Sequence, residues 1–297
     1  MEKTDYACIA RCQLPFYQRL LKEMNISSKK KLEITNQLID LACHHDLFLN
    51  SGNTCTQMYD VFSKAVDAED FFYEEKRREN QTAKQLLPLI KEIIDQSEDP
   101  LYTALLAAAN GNIIDVALCA SFSLKEAVKK AMVQKFAVSF YEEFLERLEI
   151  AQSLAVLADN AGEIVIDALS IDYLQQWRNS RNLKNLHVSF IVKGGPMFND
   201  AMGEDALEAG CDLRGDIVES GSSYIGLDMN HVSETALEVL RNSDIILAKG
   251  VANHENVYGS ESFNERVFDL FRVKCDPLAL EFDVKRDSSI FMKHVAY

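Results

Sequence analysis

The sequence predicts an α/β protein in which a parallel sheet carries helices on both faces and an all-helical half comes first. Three observations predict it. Residues 1–150 place apolar side chains at helical spacing almost throughout. After residue 150, short Val- and Ile-rich runs alternate with amphipathic segments, the signature of strand–helix–strand units. No internal repeat or low-complexity linker separates residues 1–150 from 151–297, so the two halves are expected to pack as one unit.

The elements follow in order. "LEITNQLIDLACHHDLF" (32–48) and "AKQLLPLIKEIIDQ" (83–96) read as helices, with Pro88 at a kink or an early turn. "DPLYTALLAAANGNIIDVAL" (99–118) starts a helix at Asp99-Pro100 and is interrupted at Asn110-Gly111. "MVQKFAVSFYEEFLERLEIA" (132–151) closes the helical half. Strands are expected at 153–158, 186–193, 216–220 and 244–249, and a fifth at 267–274. Helices are expected between them at 163–179, 201–209 and 232–242.

Composition narrows the function. Hydrophobic residues are 47% of the 297, enough for a sizeable core. No apolar run approaches the roughly 20 residues of a membrane span, and "MEKTDYACIARC" has no signal-like apolar stretch, so a soluble, cytoplasmic protein is expected. The formal charge of −15 argues against a nucleic-acid partner. It also means that an anionic substrate would need a local cation, a metal or a placed lysine. The seven cysteines are scattered and odd in number, which reads as reduced thiols. Cys8 and Cys12 share a helical face, but with "CHH" (43–45) and Cys55 they match no standard zinc spacing.

In a parallel α/β sheet the segments that follow the strands emerge at one edge, where ligands bind. That edge gathers "DNAGE" (159–163), "GGPMFND" (194–200), "SGSSYIG" (220–226) and "KGVANHEN" (249–256). Asp159, Asn160 and Asp200 would form an oxygen-only ligand set suited to Mg²⁺ or Mn²⁺. Gly162 allows close approach, and the helix starting near Glu163 points its free N–H groups at the cleft. Lys249 would add a second cation. Ser222 and Ser223, bracketed by Gly221 and Gly226, and Asn253 could donate to phosphate oxygens. Asn199 arrives beside Asp200. A metal, a lysine and hydrogen-bond donors at one point suggest phosphoryl chemistry, the ion polarising the phosphoryl oxygen and orienting or deprotonating a water. Each piece alone has a plainer reading: Asp159-Asn160 and Asn199-Asp200 as helix caps, Lys249 as a solvated strand end. Capping does not account for a lysine and several glycines at the same edge.

"DNAGEIVID", "KGGPMFNDAMGED", "SGSSYIGLD" and "SDIILAKGVANHEN" resemble the signature segments of the domain-of-unknown-function 89 proteins, also called damage-control phosphatases, and look closest to their microbial branch. "ANGNIIDVAL" (109–118), with Asn112 and Asp115, and "RVKCDPLA" (272–279) extend the resemblance over most of the chain. The resemblance implies a three-layer α/β/α Rossmann-like core with a mostly parallel sheet, plus an all-α N-terminal subdomain. It implies a metal-dependent phosphatase of small phosphorylated metabolites. One divalent ion (Mn, Mg, Ni or Co) would be held by Asp159, Asn160 and Asp200, with Lys249 on the phosphoryl group. Two segments depart from the family pattern. "GVANHEN" stands where a Gly-Gln-Gly-Asn type of run is expected, keeping Asn253, and "CIARC" spaces its cysteines by three residues rather than two.

On this reading Asp159, Asp200, Lys249 and Glu163 are catalytic, Glu163 orienting a ligand or water, while Gly221, Ser222, Asn253 and Asn199 bind substrate. In-line attack by a metal-bound water is the preferred mechanism, with attack by Asp159 or Asp200, giving a phospho-aspartyl intermediate, as the alternative. Two other classes stand beside the phosphatase: an S-adenosylmethionine-dependent methyltransferase, which a Gly-rich first loop would favour, and a nucleotide-binding module without turnover. His254 reads as an exposed loop residue, with proton donation to the leaving alkoxide as the alternative. His44, His45, His187, His231 and His294 lie outside the four loops and carry no assigned chemistry. Tyr6, Phe16, Phe71, Phe72 and Tyr73 read as helix packing. The substrate and the oligomeric state are left open by the sequence.

Overall fold

The computed structural model of the chain describes residues 8–44, 51–111, 124–132, 134–257 and 263–294. Seven strands form one sheet: β1 (Val138–Ser139), β2 (Ser153–Leu157), β3 (His187–Val192), β4 (Asp216–Glu219), β5 (Ile245–Lys249), β6 (Val267–Arg272) and β7 (Ser289–Lys293). Their order is β1-β7-β6-β5-β2-β3-β4, parallel throughout except between β6 and β7. The chain winds outward from β2 through β3 to β4, then returns to the other side of β2 as β5. The strand order therefore reverses between β2 and β5, and the crevice at their carboxyl ends is where such a sheet binds ligands.

The alternation within the strands builds the layers. Leu154 and Val156 of β2 pack with Phe190, Leu247 and Phe268 under the helices Pro100–Ala109, Tyr141–Ile150 and Glu163–Asn179. Ala155 and Leu157 face the other way, with Ile191, Ile246 and Ala248, against Ala236 and Leu240 of the helix Glu234–Asn242. Successive residues of a strand point to opposite faces, so both faces of β2 are apolar because both are covered. This is the expected mixed α/β fold.

The N-terminal helices Leu14–Glu23, Ser28–Cys43 and Ser51–Val66 enclose a cluster of their own around Tyr17, Leu38, Met58 and Phe62. The helix Tyr73–Asp95 contains Pro88 in its interior and lays Leu86, Ile90 and Ile94 on Val165, Ile166 and Leu169. Starts are set by caps as the composition suggests: Asp99 accepts from Tyr102 N at 3.0 Å, and Ser233 accepts from Ala236 N at 3.2 Å. The helix from Pro100 ends at Ala109, with Asn110 as its C-cap, while Asn112, Asp115 and Cys119 lie outside the described residues, as do Tyr6 and His45.

Three expectations are corrected. The stretch 132–151 is not one helix: a helix ends at Met132, and Val138–Ser139 pairs with β7 before a new helix runs from Tyr141 to Ile150. Ala137 N donates to Ser289 O and Phe140 N to Phe291 O, so a sheet edge overrides the local helical spacing. The strand β7, "SIFMK", was not anticipated. Most of "KGVANHEN" (249–256), read as a loop, belongs to the helix Gly250–Val257. No helix among the described residues is long and apolar enough to cross a membrane, and the six described cysteines form no disulfide.

Candidate active site

The end of β2 is zipped to the loop after β3. Ala161 N donates to Asn199 O and Ala201 N to Asp159 O, each at 2.8 Å, and Asn160 and Asp200 form an antiparallel bridge. These backbone bonds put Asp159, Asn160 and Asp200 in one corner although they are far apart in sequence. Gly162 makes the turn possible, since it sits at φ +75° and its N–H reaches Asn80 Oδ1 at 2.7 Å. Glu79, the neighbour of Asn80 on the long helix, accepts from Asn199 Nδ2 at 3.1 and 3.2 Å. The helical half thereby holds both loops from above.

The glycine after Lys249 has a steric duty. Gly250 lies at φ +77°, and a Cβ there would fall 2.0 Å from Asp159 Oδ2. The Asp159 carboxylate therefore rests on the N-terminus of the helix Gly250–Val257, where a negative charge is favoured.

Loop two carries backbone strain. Phe198 occupies φ +46°, an unusual conformation for a bulky side chain. Its ring is caged by Tyr59 at 5.0 Å, Phe16 at 5.2 Å and Phe72 at 5.9 Å, all from the helical half. That aromatic cluster holds the strained turn immediately before Asn199 and Asp200.

Glu163, Lys249 and Asp167 lie behind the corner. Asn160 Nδ2 donates to Glu163 Oε1 at 3.0 Å, and Lys249 Nζ sits 3.4 Å from Glu163 Oε2 and 2.8 Å from Asp167 Oδ1. Lys249 also donates to Ala108 O at 2.9 Å and is fully buried. Burial opposes its charge, but Asp167 and Glu163 outweigh burial and raise its pKa. Burial pushes Asp167 up to about 6, against the pull of Lys249. Lys193 plays a similar part for loop two: its Nζ lies 3.3 Å from Asp200 Oδ2 and donates to Tyr224 O at 2.8 Å.

The sequence-derived residues divide by where the structure puts them. Asp159, Asn160, Asn199 and Asp200 line one chamber of about 460 Å³. Phe16, Phe72 and Phe198 form an apolar part of its wall, and Arg19 and Lys274 bring cations to it. A second chamber of about 640 Å³ adjoins it and shares Cys12, Cys55, Glu255 and Lys274. Lys249 and Glu163 are not in the chamber lining but beneath it. Asn253 donates to Ala158 O at 3.0 Å and Lys249 O at 2.8 Å, tying the ends of β2 and β5 together. Gly221 and Ser222 stack on loop two, where Ser222 O accepts from Gly194 N at 3.1 Å. Their loop presents Ile225 to the chamber. His254, read as an exposed loop residue, is buried and bonds Asp269 at 3.0 Å, because the segment is helical and turns it inward.

The electrostatics of the corner are those of a buried acid pair whose nearby lysines do not fully offset burial. Burial, then the charge of Glu163, pushes the Asp159 carboxyl up to about 8, with Lys274 opposing. Burial raises Asp200 as well, against Lys193. Two buried carboxylates that resist ionisation together are a place where a hard cation lowers the energy.

Sequence reasoning missed Lys193, Asp167, Glu79, Asn80, Arg19 and the caging role of Phe198. Lys193 directly follows β3 at the edge where ligands bind, and Asp167 is one helical turn from Glu163, so spacing could have found both. Glu79 and Asn80 sit mid-helix with nothing local to mark them.

A family profile described as "Damage-control phosphatase ARMT1-like domain" matches residues 8–290. A damage-control phosphatase of Pyrococcus horikoshii is 29% identical over 234 residues, 78% of this chain and 77% of that protein. A damage-control phosphatase of Archaeoglobus fulgidus is 29% identical over 237 residues, 79% of each. The crystal structure of a domain-of-unknown-function 89 family protein from Pyrococcus horikoshii superposes with a TM-score of 0.84 at 24% identity, covering 99% of this chain and 100% of that one. That likeness speaks to the fold.

Proposed function

The chain belongs to the damage-control phosphatase ARMT1-like family, and from that premise we propose that it is a metal-dependent phosphatase hydrolysing phosphate monoesters of small metabolites. The observation that carries this reading is the pair of buried carboxylates with raised pKa values, Asp159 and Asp200, lining a chamber with Asn160. The residues fit one divalent ion of the Mn, Mg, Ni or Co type. The three side chains offer oxygen atoms, and Glu163 engages the Asn160 amide nitrogen, leaving Asn160 Oδ1 for the chamber. When bound, such an ion supplies charge neutralisation and Lewis acidity toward a phosphoryl group.

The chain's own residues do the remaining work. Lys274 and Arg19 offer the dianion of a phosphate ester two cations on an otherwise acidic protein. Lys193 fixes Asp200, and Glu163 fixes Asn160. Lys249 holds Glu163 in place from beneath and is neutralised by it and by Asp167. The ligand corner is thus backed on two sides by lysines whose ammonium groups are tied to protein oxygens, and the substrate's charge falls to the cations of the chamber wall.

The test is phosphate release by the full-length chain from a panel of sugar phosphates, nucleotides and cofactor phosphates, run with Mg²⁺, Mn²⁺, Co²⁺ and Ni²⁺. Turnover is expected with at least one ion. Asp159→Ala and Asp200→Ala are each expected to lower it by about a hundredfold or more, with circular dichroism unchanged. Near-normal turnover in either variant, or no release by the folded chain under any of the four ions, would sink the proposal. In a single turnover in ¹⁸O water, label found in a protein carboxylate would assign the attack to an aspartate, and label only in phosphate would assign it to water.

A further inference from the structure

On the far side of the helix Gly250–Val257 lies a second cluster that the phosphatase reading does not use. His254 on that helix, Asp269 on β6 and His294 just after β7 present one ligand atom each, all within 4.8 Å of one another. His254 Nδ1 lies 3.0 Å from Asp269 Oδ2, and His294 Nε2 contacts the same oxygen. All three side chains are buried. The other carboxylate oxygen, Asp269 Oδ1, has no hydrogen-bond partner among the described residues. Aromatic rings seal the cluster, with Phe271 at 5.2 Å and Phe282 at 5.6 Å from His254.

From this geometry we propose that His254, Asp269 and His294 form a second metal site that takes Zn²⁺, distinct from the oxygen-only corner at Asp159. Three arguments support it. The first is donor chemistry: two imidazoles and a carboxylate suit zinc, whereas two carboxylates and an amide oxygen suit Mg²⁺ or Mn²⁺. The second is distance. Zinc bonds of about 2.0–2.2 Å at a tetrahedral angle separate donor atoms by roughly 3.4 Å. The 3.0 Å contact of His254 therefore needs to widen by a few tenths of an ångström, and the shorter His294 contact by more, by a shift of the His294 side chain. The third is the orphan oxygen. Asp269 Oδ1 is a buried acceptor with no hydrogen-bond partner among the described residues, and a cation bound through it would satisfy it. Through Oδ1 the carboxylate can become bidentate, completing four-coordination without an outside ligand. Each imidazole would keep a proton on the nitrogen remote from the metal, and the proton that His254 Nδ1 shares with Asp269 would be lost to solvent on loading.

The site would pin the helix whose N-terminus carries the Asp159 carboxylate to the two strands β6 and β7. It is therefore a structural zinc beside a catalytic corner, and the two should load independently.

The full-length chain carrying both Asp159→Ala and Asp200→Ala is produced in zinc-supplemented medium, dialysed against metal-free buffer and analysed by mass spectrometry of the elements. One zinc per chain is expected to remain. Adding His254→Gln and His294→Gln is expected to lower zinc by about tenfold or more. The same acid-pair variant loaded with Co²⁺ is expected to show the visible bands of four-coordinate, imidazole-bound cobalt, a measurement that needs no histidine variant to fold. A folded acid-pair variant without zinc, zinc persisting after both histidine substitutions, or only weak six-coordinate cobalt bands would each overturn the site. Because the acid pair is absent from this protein, the outcome is separate from whether the chain releases phosphate.

Discussion

Two buried aspartates on either side of one helix have opposite electrostatics. Asp159 rests on Gly250 at the start of the helix Gly250–Val257, and its carboxyl is pushed up to about 8 by burial and then by Glu163. Asp269 meets His254 one turn further along the same helix. Burial pushes it up as well, but hydrogen bonds from His254 and His294 outweigh that and hold it below the usual carboxylate range. Both groups are buried to a similar degree, so burial does not distinguish them. What differs is the donor set: one aspartate shares its corner with other acids and opens on a chamber, the other is sealed between imidazoles. The first is arranged to receive a charge from outside, the second is largely complete within the fold.

The same substitution should therefore have opposite signs in the two places, and this is the largest expected effect. Asp269→Asn removes the negative charge that two buried imidazoles bond and leaves one amide oxygen as acceptor, and is expected to destabilise the chain by about 3–5 kcal/mol. Asp159→Asn, in protein stripped of divalent ions, replaces an acid that resists ionisation with a neutral isostere. It is expected to stabilise by roughly 1–3 kcal/mol. Urea denaturation of both variants at neutral pH with chelator measures the pair. Two losses of similar size would mean that the corner at Asp159 is already balanced within the fold, and the contrast would fail.

A smaller effect sharpens the geometry on the Asp159 side. Gly250→Ala places a methyl group 2.0 Å from Asp159 Oδ2 and forces alanine into a left-handed conformation. The strain is expected to cost about 1–3 kcal/mol of stability. Because the carboxylate must move, phosphate release should fall further than stability alone explains, with apparent affinity for the divalent ion weakened. Thermal unfolding and a metal titration of the variant separate the two. Unchanged metal affinity would show that the carboxylate has room to spare.

How much of this was legible depends on the range of the interaction. The β2, β3 and β5 segments were readable because "SLAVL", "HVSFIV" and "IILAK" are buried on both faces and carry their own signal. The meeting of Asp159, Asn160 and Asp200 in one corner followed from the edge rule, which gathers them without side-chain detail. The short strand Val138–Ser139 was not readable, since its only reason to be extended is the edge of β7, which lies far along the chain. The interior fate of Lys249 was hidden for the same reason: Asp167 and Ala108 O, which draw it beneath the chamber, are brought there by packing. His254 was misread because a Gly-Val-Ala-Asn start looks like a loop until Asp269 and the rings of Phe271 and Phe282 supply an inward face. Chain-local chemistry showed in the sequence, whereas partners supplied by another element did not.

The finest test of the contrast is pH. An acid whose folded pKa is raised must stay protonated in the folded state or pay for ionising there, so its penalty is absent below the unfolded value near 3.9. The penalty grows as pH rises from there and levels off above the folded value, about 8 for Asp159. Asp269 has the opposite sign: its lowered pKa contributes stability above the unfolded value and loses it only as pH falls through the folded one. Between pH 5.5 and 7.5 only the Asp159 corner is moving among these two. The chelated chain is accordingly expected to lose roughly 2–3 kcal/mol across that window, and Asp159→Asn to flatten the slope. Mn²⁺ added at pH 7.5 should restore more stability than the same ion at pH 5.5, since at the lower pH it must displace protons from the carboxyls. Denaturation midpoints at the two pH values, with and without Mn²⁺, give all four numbers. A slope unchanged in Asp159→Asn would assign the titration to another group and leave the acid corner without the charge deficit that makes it a cation site.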